Sequence, residues 1–150
     1  MQRYTCIMIP SFDANGNLPP GIHHAVLEEI EKRFAYTTCR RSLFEGLRTL
    51  VEELRKANCT CLYLNGSFIT NKESPNDYDA CWEIEDINQR IDPLLLNPFQ
   101  QLAEIKAKYK GDVFPRIPEL LRGIDHLEIF QRDIDTNPKG IIAINLRYKK

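Results

Sequence analysis

The 150-residue sequence has no long apolar run: no stretch approaches the roughly 20 residues that a membrane-spanning helix needs. Its first residues, Met1-Gln-Arg-Tyr-Thr5, also lack the pattern of a secretory signal peptide. An excess of one charge is missing too, since 20 basic and 21 acidic residues leave a formal net charge of −1. We therefore expect a cytoplasmic protein that enters no membrane and has no general nucleic-acid-coating surface.

Cysteine is present, but not in a pattern that makes a disulfide framework or a zinc site. The five cysteines are an odd number, and no second cysteine pair or histidine pair accompanies Cys59 and Cys61. These two are spaced as alternate residues of a strand. Together with Cys6 and Cys81 they stand in apolar runs, so we expect reduced thiols that act as small core residues.

The composition is that of one ordinary globular domain. Hydrophobic residues make up 43% of the chain and charged residues 27%, and this length suffices to bury a core without disulfides or metals. We find no internal repeat or low-complexity segment and predict a single domain over residues 1–150. Residues 1–21 are predicted to form an N-terminal arm, with a candidate edge strand at 6–9 and turn chemistry at 10–20.

Apolar residues that recur every three or four positions predict four helices. The first begins near Ile22, with Val26, Leu27, Ile30 and Phe34 on one side. The second has an apolar stripe of Leu43, Phe44, Leu47, Leu50, Val51 and Leu54, and its far face is expected to be solvated, with Arg40, Arg41, Arg48, Glu52, Glu53 and Arg55. Segments 98–109 and 118–130 are the other two predicted helices. In the segment 98–109, Pro98 occupies the first helical turn and Gly111 ends the helix.

Four segments predict strands: residues 59–64, 77–84, 112–114 and 140–146. In the second of these the residues alternate, with Tyr78, Ala80, Trp82 and Ile84 on one face and Asp77, Asp79, Cys81 and Glu83 on the other. We therefore expect one face of this strand to be core and the other to be acidic.

This alternation places two carboxylates together. Asp77 and Asp79 are expected to project from the same face with Cα atoms roughly 6–7 Å apart. Carboxylates this close repel each other unless a cation lies between them, and a Mg²⁺-type ion prefers such oxygen ligands. The Gly66-Ser67 turn before the strand can present backbone N–H groups and a hydroxyl to phosphate. The pattern is typical of phosphoryl or nucleotidyl transfer.

A third acid, Asp112, joins the pair if its strand lies beside theirs. Two-metal nucleotidyl transfer uses carboxylates in this way, with ions about 3.5–4 Å apart. Each part also has an ordinary explanation: Gly-Ser turns are common, Asn76-Asp77 after a proline is typical of a turn, and Asp112 follows a glycine as a capping or turn residue does. The order of the parts along the chain favours the functional interpretation.

Two sets of segments resemble known families. Leu64-Asn-Gly66-Ser67-Phe68 followed by Asn76-Asp77-Tyr78-Asp79 resembles the signature of the polymerase-β-type nucleotidyltransferase superfamily, and the small size resembles its minimal (MNT-type) members. A wider set is similar to an uncharacterised bacterial family described as nucleotidyltransferase-like: Ile9-Pro-Ser-Phe12, Leu18-Pro-Pro-Gly21, Gly66-Ser-Phe-Ile-Thr-Asn-Lys72, Pro75-Asn-Asp-Tyr-Asp79, Gly111-Asp-Val-Phe114, Phe130-Gln131 and Lys139-Gly140-Ile141.

The resemblance implies an α/β (α+β) fold, a small mixed β-sheet flanked by helices, and an enzyme that uses ATP or another NTP with Mg²⁺ (or Mn²⁺). The implied catalytic residues and metal ligands are Asp77, Asp79 and Asp112, and the implied nucleotide-binding residues are Gly66, Ser67 and Lys72. For several minimal relatives it also implies a role beside a toxin in a toxin–antitoxin pair. Minimal members usually place a second glycine where this chain has Ile69-Thr-Asn-Lys72, so Lys72 is either a phosphate ligand or an ordinary exposed lysine.

Two functional hypotheses follow. The first is a Mg²⁺-dependent nucleotidyltransferase that moves a nucleoside monophosphate from an NTP to a hydroxyl of a protein or an RNA. The alternative is a catalytically degenerate module of the same fold that binds a partner protein by contact, as an antitoxin does; the missing glycine favours it. RNA binding by an arginine-lined face is a third option, which the net charge disfavours.

The three histidines are not assigned a catalytic role. His23 and His24 are predicted at the exposed start of a helix, and His126 is predicted on a polar helix face.

Overall fold

The computed structural model describes residues 9–117 and 125–147. Within them five strands form one sheet: β1 (Gly21–His24), β2 (Cys61–Asn65), β3 (Tyr78–Glu83), β4 (Gly111–Arg116) and β5 (Gly140–Asn145). The strand order is β1-β5-β2-β3-β4, in which β2 is antiparallel to both neighbours and the two outer pairs are parallel. The helices are α1 (Leu27–Phe34), α2 (Thr38–Lys56), α3 (Leu102–Tyr109) and α4 (His126–Phe130). The predicted α+β fold with a small mixed sheet is confirmed.

The main core lies between one face of the sheet and α2. All six residues of the predicted α2 stripe are buried, and they belong to one apolar cluster with the inward residues of β2 and β3, among them Trp82. The opposite face carries a smaller cluster of Cys81, Leu127, Phe130 and Ile141, which joins α4 to the sheet. Cys59 and Cys81 are buried, and the four described cysteines are free, as predicted; Cys6 lies outside the described residues.

The start of the first helix differs from the prediction. His23 and His24 belong to β1, which pairs in parallel with β5, and α1 begins only at Leu27. Val26, predicted on the core side, precedes the helix and is 38% exposed. The helical spacing of residues 22–34 placed the start of the helix too early. Residues 21–24 pair with β5, more than 110 positions later, and such pairing leaves no periodic pattern in the local sequence.

The helix before β4 is shorter than predicted. Pro98 lies outside α3, which begins at Leu102, and Phe99 is 72% exposed. The residue that leaves the helix in a left-handed conformation is Lys110, with φ 67°, rather than Gly111. Gly111 is required for another reason, because a Cβ there would lie 2.6 Å from the ring of Tyr78.

Two predicted segments fall partly outside the described residues. The candidate strand at 6–9 is represented only by Ile9, which is in no strand, and the helix predicted at 118–130 is described only over α4. Ile84, predicted to face the core, follows the end of β3 and is 40% exposed. Among the described helices none is both long and apolar enough to cross a membrane.

Candidate metal centre

Three carboxylates converge at the start of β3 and β4. The two strands are parallel, and their register pairs Asp79 directly with Asp112, while Asp77 immediately precedes β3. One carboxylate oxygen from each of Asp77, Asp79 and Asp112 lies within 4.8 Å of the other two. The predicted convergence of the three acids is therefore confirmed, and the group could hold a metal ion.

The β4 strand is held in this register by an aromatic contact. The Tyr78 hydroxyl donates a hydrogen bond of 2.8 Å to the backbone oxygen of Tyr109, at the end of α3. The Tyr78 ring fills the space beside Gly111 that a side chain would need. This contact fixes the residue before Asp112 against the start of β3, and so sets the position of the Asp112 carboxylate.

The Gly66-Ser67 turn lies directly against the acids. Gly66 has φ 93°, in the region that favours glycine, and a Cβ there would lie 3.1 Å from both the backbone nitrogen and Oδ2 of Asp79. A single 3₁₀ turn, Ser67–Ile69, follows it. The backbone at Gly66 therefore approaches Asp79 more closely than most residues with a side chain could.

Arg40 anchors the loop that follows this turn. The prediction that Arg40 lies on a solvated face of α2 is wrong. The side chain is fully buried at the start of α2. Its guanidinium donates hydrogen bonds to four backbone oxygens, those of Phe34, Phe68, Thr70 and Lys72. The helical spacing along α2 indicates on which side of the helix Arg40 lies. It does not predict that the 68–72 loop covers Arg40 and presents backbone carbonyls that need a hydrogen-bond donor. The Lys72 side chain is exposed.

A lysine lies between two of the acids. Lys106 of α3 places Nζ 3.0 Å from Oδ2 of Asp77 and 3.3 Å from Oδ1 of Asp112, and its side chain is 48% exposed. Its hydrogen bond to Asp77 raises the pKa of Lys106. Sequence reasoning missed this residue because a lysine in an amphipathic helix is ordinarily solvated, and no local pattern links it to Asp77.

The electrostatics of the cluster concentrate on Asp79. Burial, followed by the negative charges of Asp77 and Asp112, raises the pKa of Asp79 to about 6, although Lys139 and Lys106 lower it. This is the expected behaviour of a carboxylate that is partly buried and also has like charges beside it. A cation bound between the three acids would favour the ionised form of Asp79.

Asn65 supplies a further oxygen on the same face. It is the cross-strand partner of Asp79, and such partners place their side chains on the same side of the sheet. Asn65 is 7% exposed, and its buried Oδ1 has no hydrogen-bond partner among the described residues. Sequence reasoning gave Asn65 no role, since a single polar residue at the end of an apolar strand usually marks only the end of that strand.

The donors on this face suit a hard divalent cation. Carboxylate and amide oxygens are the ligands of Mg²⁺ and Mn²⁺, and no thiol or imidazole from residues 9–117 or 125–147 joins the group of three acids. The ammonium of Lys106 shows that positive charge is stabilised beside Asp77 and Asp112. Asp77, Asp79 and Asp112 would hold such an ion.

Beyond the acids, this face also carries an ion-pair network that helps to hold α4 in place. Arg116 contacts Glu83 at 2.7 Å and Asp125 at 3.3 Å, and the Tyr63 hydroxyl donates to Glu83. His126 stacks on the ring of Phe114 with centroids 4.4 Å apart, so it is not a residue of a purely polar helix face. The network lies along β3 and β4 beyond the acids and is structural.

Comparison with known proteins identifies a family whose function is unknown. Residues 10–145 match the profile of DUF6932, a family of unknown function. No curated protein and no solved structure matches the chain. The matched region includes the Gly66-Ser67 turn, the three acids and Lys106. The chain belongs to the DUF6932 family.

Proposed function

We propose that the protein is a Mg²⁺-dependent nucleotidyltransferase that moves a nucleoside monophosphate from an NTP, with ATP as the first candidate, to a hydroxyl of a protein or an RNA. The observation that carries the proposal is the convergence of Asp77, Asp79 and Asp112 within 4.8 Å beside a glycine turn. The resemblance of the Gly66-Ser67 and Asp77-Tyr78-Asp79 segments to the nucleotidyltransferase signature supports it.

Each residue has a role in the proposed reaction. The carboxylates of Asp77, Asp79 and Asp112 hold the cation, whose charge stabilises the transferring phosphate and the leaving pyrophosphate. Asp112 helps to accept the proton of the attacking hydroxyl. Gly66 and Ser67 bind the phosphates, and Arg40 holds the loop after them in place through its four backbone contacts. In the proposed reaction a bond forms between the acceptor oxygen and the α-phosphorus while the bond from the α-phosphorus to the oxygen bridging it to the β-phosphorus breaks. Pyrophosphate leaves, and the proton of the acceptor hydroxyl passes to Asp112.

Incubation with labelled ATP, CTP, GTP and UTP, Mg²⁺ or Mn²⁺ and candidate acceptors tests the proposal. The double variant Asp77→Ala plus Asp79→Ala is expected to lose transfer. The matched control is Glu45→Ala plus Glu52→Ala, which removes the same charge from two exposed positions of α2. If the Asp77/Asp79 variant transfers as well as the wild type, the metal assignment is wrong.

A second function is favoured by Lys106. Because its ammonium pairs with both Asp77 and Asp112, it neutralises part of the acidic cluster without a metal. This supports a catalytically degenerate module that binds a partner protein, such as the toxin of a toxin–antitoxin pair. A tight complex that survives the Asp77/Asp79 double substitution, together with no nucleotide-induced thermal shift, favours the module; Mg²⁺-dependent NTP binding favours the enzyme.

The product of the neighbouring gene is the first acceptor and partner to test. A toxin-like neighbour nominates a protein hydroxyl, and its absence directs the search to RNA ends. The free thiols of the described residues fit a reducing cytoplasm, the location we propose.

A further inference from the structure

A cavity of about 180 Å³ opens beside α4, which packs on the sheet face that carries Cys81 and Asp79, and near the end of the sheet where Lys139 leads into β5. It lies between the start of β1, the end of α4 and the residues that lead into β5, and is lined by Pro20, Gly21, Glu128, Gln131, Arg132, Pro138 and Lys139. A single water needs only about 10–15 Å³ of such space. The cavity therefore has room for a group much larger than water.

The lining carries more positive than negative charge. Lys139 and Arg132 are the cations, and Glu128 is the acid among the lining residues. Arg132 is exposed and donates a 3.0 Å hydrogen bond to the backbone oxygen of Thr136, which holds its guanidinium beside the cavity.

Lys139 is the unusual group of this cavity. Its side chain is partly buried, yet it makes no hydrogen bond and no close ion pair to any described residue. Burial lowers the pKa of Lys139, while the charges of Asp79 and Asp133 raise it. A partly desolvated ammonium that has no hydrogen bond or close ion pair among the described residues gains more from an anion than an exposed lysine does, because it has already lost part of its hydration.

The sheet order places the phosphate-binding turn between the acids and this lysine. Lys139 precedes β5, Gly66 follows β2, and Asp79 lies in β3, in the order β5-β2-β3 across the sheet. From β5 to β3 is two strand spacings, about 10 Å at roughly 4.8 Å each. Lys139 is electrostatically coupled to Asp79 over this interval. An anion long enough to extend from the acids across Gly66 to the start of β5 therefore comes to Lys139.

We infer that the cavity beside Lys139 binds the terminal phosphates of a polyphosphate substrate, with Lys139 as the principal cation and Arg132 as the second. The identity of this anion as the triphosphate of an NTP rests on the proposed function. In this arrangement the first phosphate lies at the acids, the turn at Gly66 contacts the middle of the chain, and Lys139 contacts its end.

Calorimetric titration of the full-length protein with inorganic tripolyphosphate, ATP and AMP, all with Mg²⁺, tests the inference. Lys139→Met is expected to weaken the binding of tripolyphosphate and ATP by about tenfold or more, the effect of losing one charge-assisted contact. AMP, which lacks the terminal phosphates, is expected to bind equally to both proteins. Lys139→Arg keeps the charge and is expected to restore most of the affinity.

The matched control is Lys56→Met, which removes the same charge at the end of α2, where Lys56 lies 3.5 Å from Glu53. Its affinity for tripolyphosphate is expected to equal that of the wild type. Unchanged binding by Lys139→Met, or no tripolyphosphate binding by the wild type, overturns the inference. If the wild type binds tripolyphosphate through Lys139 but transfers no nucleotide, the inference is supported and the proposed function is contradicted. If the protein transfers nucleotide but Lys139→Met does not change tripolyphosphate binding, the proposed function is supported and the inference is contradicted.

Discussion

The ammonium nitrogen of Lys106 lies 3.0 Å from Oδ2 of Asp77, and the same nitrogen lies 3.3 Å from Oδ1 of Asp112. Two carboxylates that would share a divalent cation thus share a side-chain cation instead. Lys106 comes from α3, whereas the acids come from the starts of β3 and β4, so the contact depends on how α3 packs beside the sheet. The lysine side chain is 48% exposed and can leave the acids without disturbing the core.

Lys106→Met is expected to tighten Mn²⁺ binding severalfold, because it removes a cation that competes for the carboxylates. The metal-free variant is also expected to be less stable than the wild type near neutral pH, since the acids lose their counter-charge. Electron paramagnetic resonance of free Mn²⁺ and thermal unfolding measure the two effects.

Lys108→Met is the control for this experiment. It lies on the same helix, but its ammonium pairs with Asp92 at 2.6 Å rather than with the cluster. It is expected to leave Mn²⁺ affinity unchanged. Equal Mn²⁺ affinity of Lys106→Met and the wild type would show that Lys106 does not compete with a metal at this site.

Asp112→Asn is expected to weaken Mg²⁺ binding and sharply reduce transfer, because the variant removes one of the three charged ligands. Stability of the metal-free protein is expected to stay the same or rise, since Asp112 is one of the charges that raise the pKa of Asp79. Mg²⁺ titration, transfer assays and chemical unfolding in chelator measure these quantities. Wild-type metal affinity in the variant would exclude Asp112 as a ligand.

The contribution of Asp79 to the stability of the metal-free protein is expected to fall as the pH rises. The pKa of Asp79 is about 6 in the folded protein, above the roughly 3.9 of an unfolded chain, so the folded state binds more protons between these values. The favourable contribution is therefore complete below about pH 4 and is lost as the pH rises through about 6.

Chemical unfolding of wild type and Asp79→Asn in chelator, at about pH 5 and about pH 8, isolates this contribution. The wild type is expected to lose more stability than the variant between the two values. Excess Mg²⁺ is expected to reverse the loss, since the cation favours the ionised carboxylate. Parallel pH dependence of the two proteins would contradict the raised pKa of Asp79.

Arg40→Met is expected to destabilise the fold by about 3–5 kcal/mol, because four backbone oxygens lose their shared donor inside the protein. Arg41→Met is the matched control: Arg41 is the next residue of α2, is exposed, and contacts Thr38. Its effect is expected to stay within about 0.5 kcal/mol. Chemical unfolding compares the two variants, and equal losses would contradict the anchoring role of Arg40.

Arg40→Lys separates folding from function. A lysine keeps the charge but has no planar fork to reach four oxygens, so the loop after Ser67 is expected to be less ordered. The folded fraction of this variant is expected to bind NTP more weakly than the wild type, while Mn²⁺ binding at the three acids changes little. Hydrogen exchange of the 67–72 backbone amides measures the loosening directly.

The local patterns of the chain determined most of the elements. The stripe from Leu43 to Leu54 is long enough to specify α2, and the alternation from Tyr78 to Glu83 specifies β3 and its core face. The opposite face is acidic only in part, because Cys81 packs there in an apolar cluster with residues of α4. The proximity of Asp77 to Asp79 is expected from an extended chain, in which alternate residues project to the same side. The turn at Gly66 could also be predicted, because glycine before a hydroxyl residue between two strands has few alternatives.

The tertiary structure alone decided which residues surround the acids. Asp112 meets Asp79 because β3 and β4 are parallel neighbours in one register, a property of sheet pairing that no local period encodes. Lys106 and Lys139 reach the cluster from α3 and from the approach to β5, and Arg40 is buried because a loop 28 or more residues away covers it. The sequence by itself determined which residues are the acids, where the turn lies and which elements carry them. The charge environment of the acids was decided by side chains from distant segments, which only tertiary packing brings together.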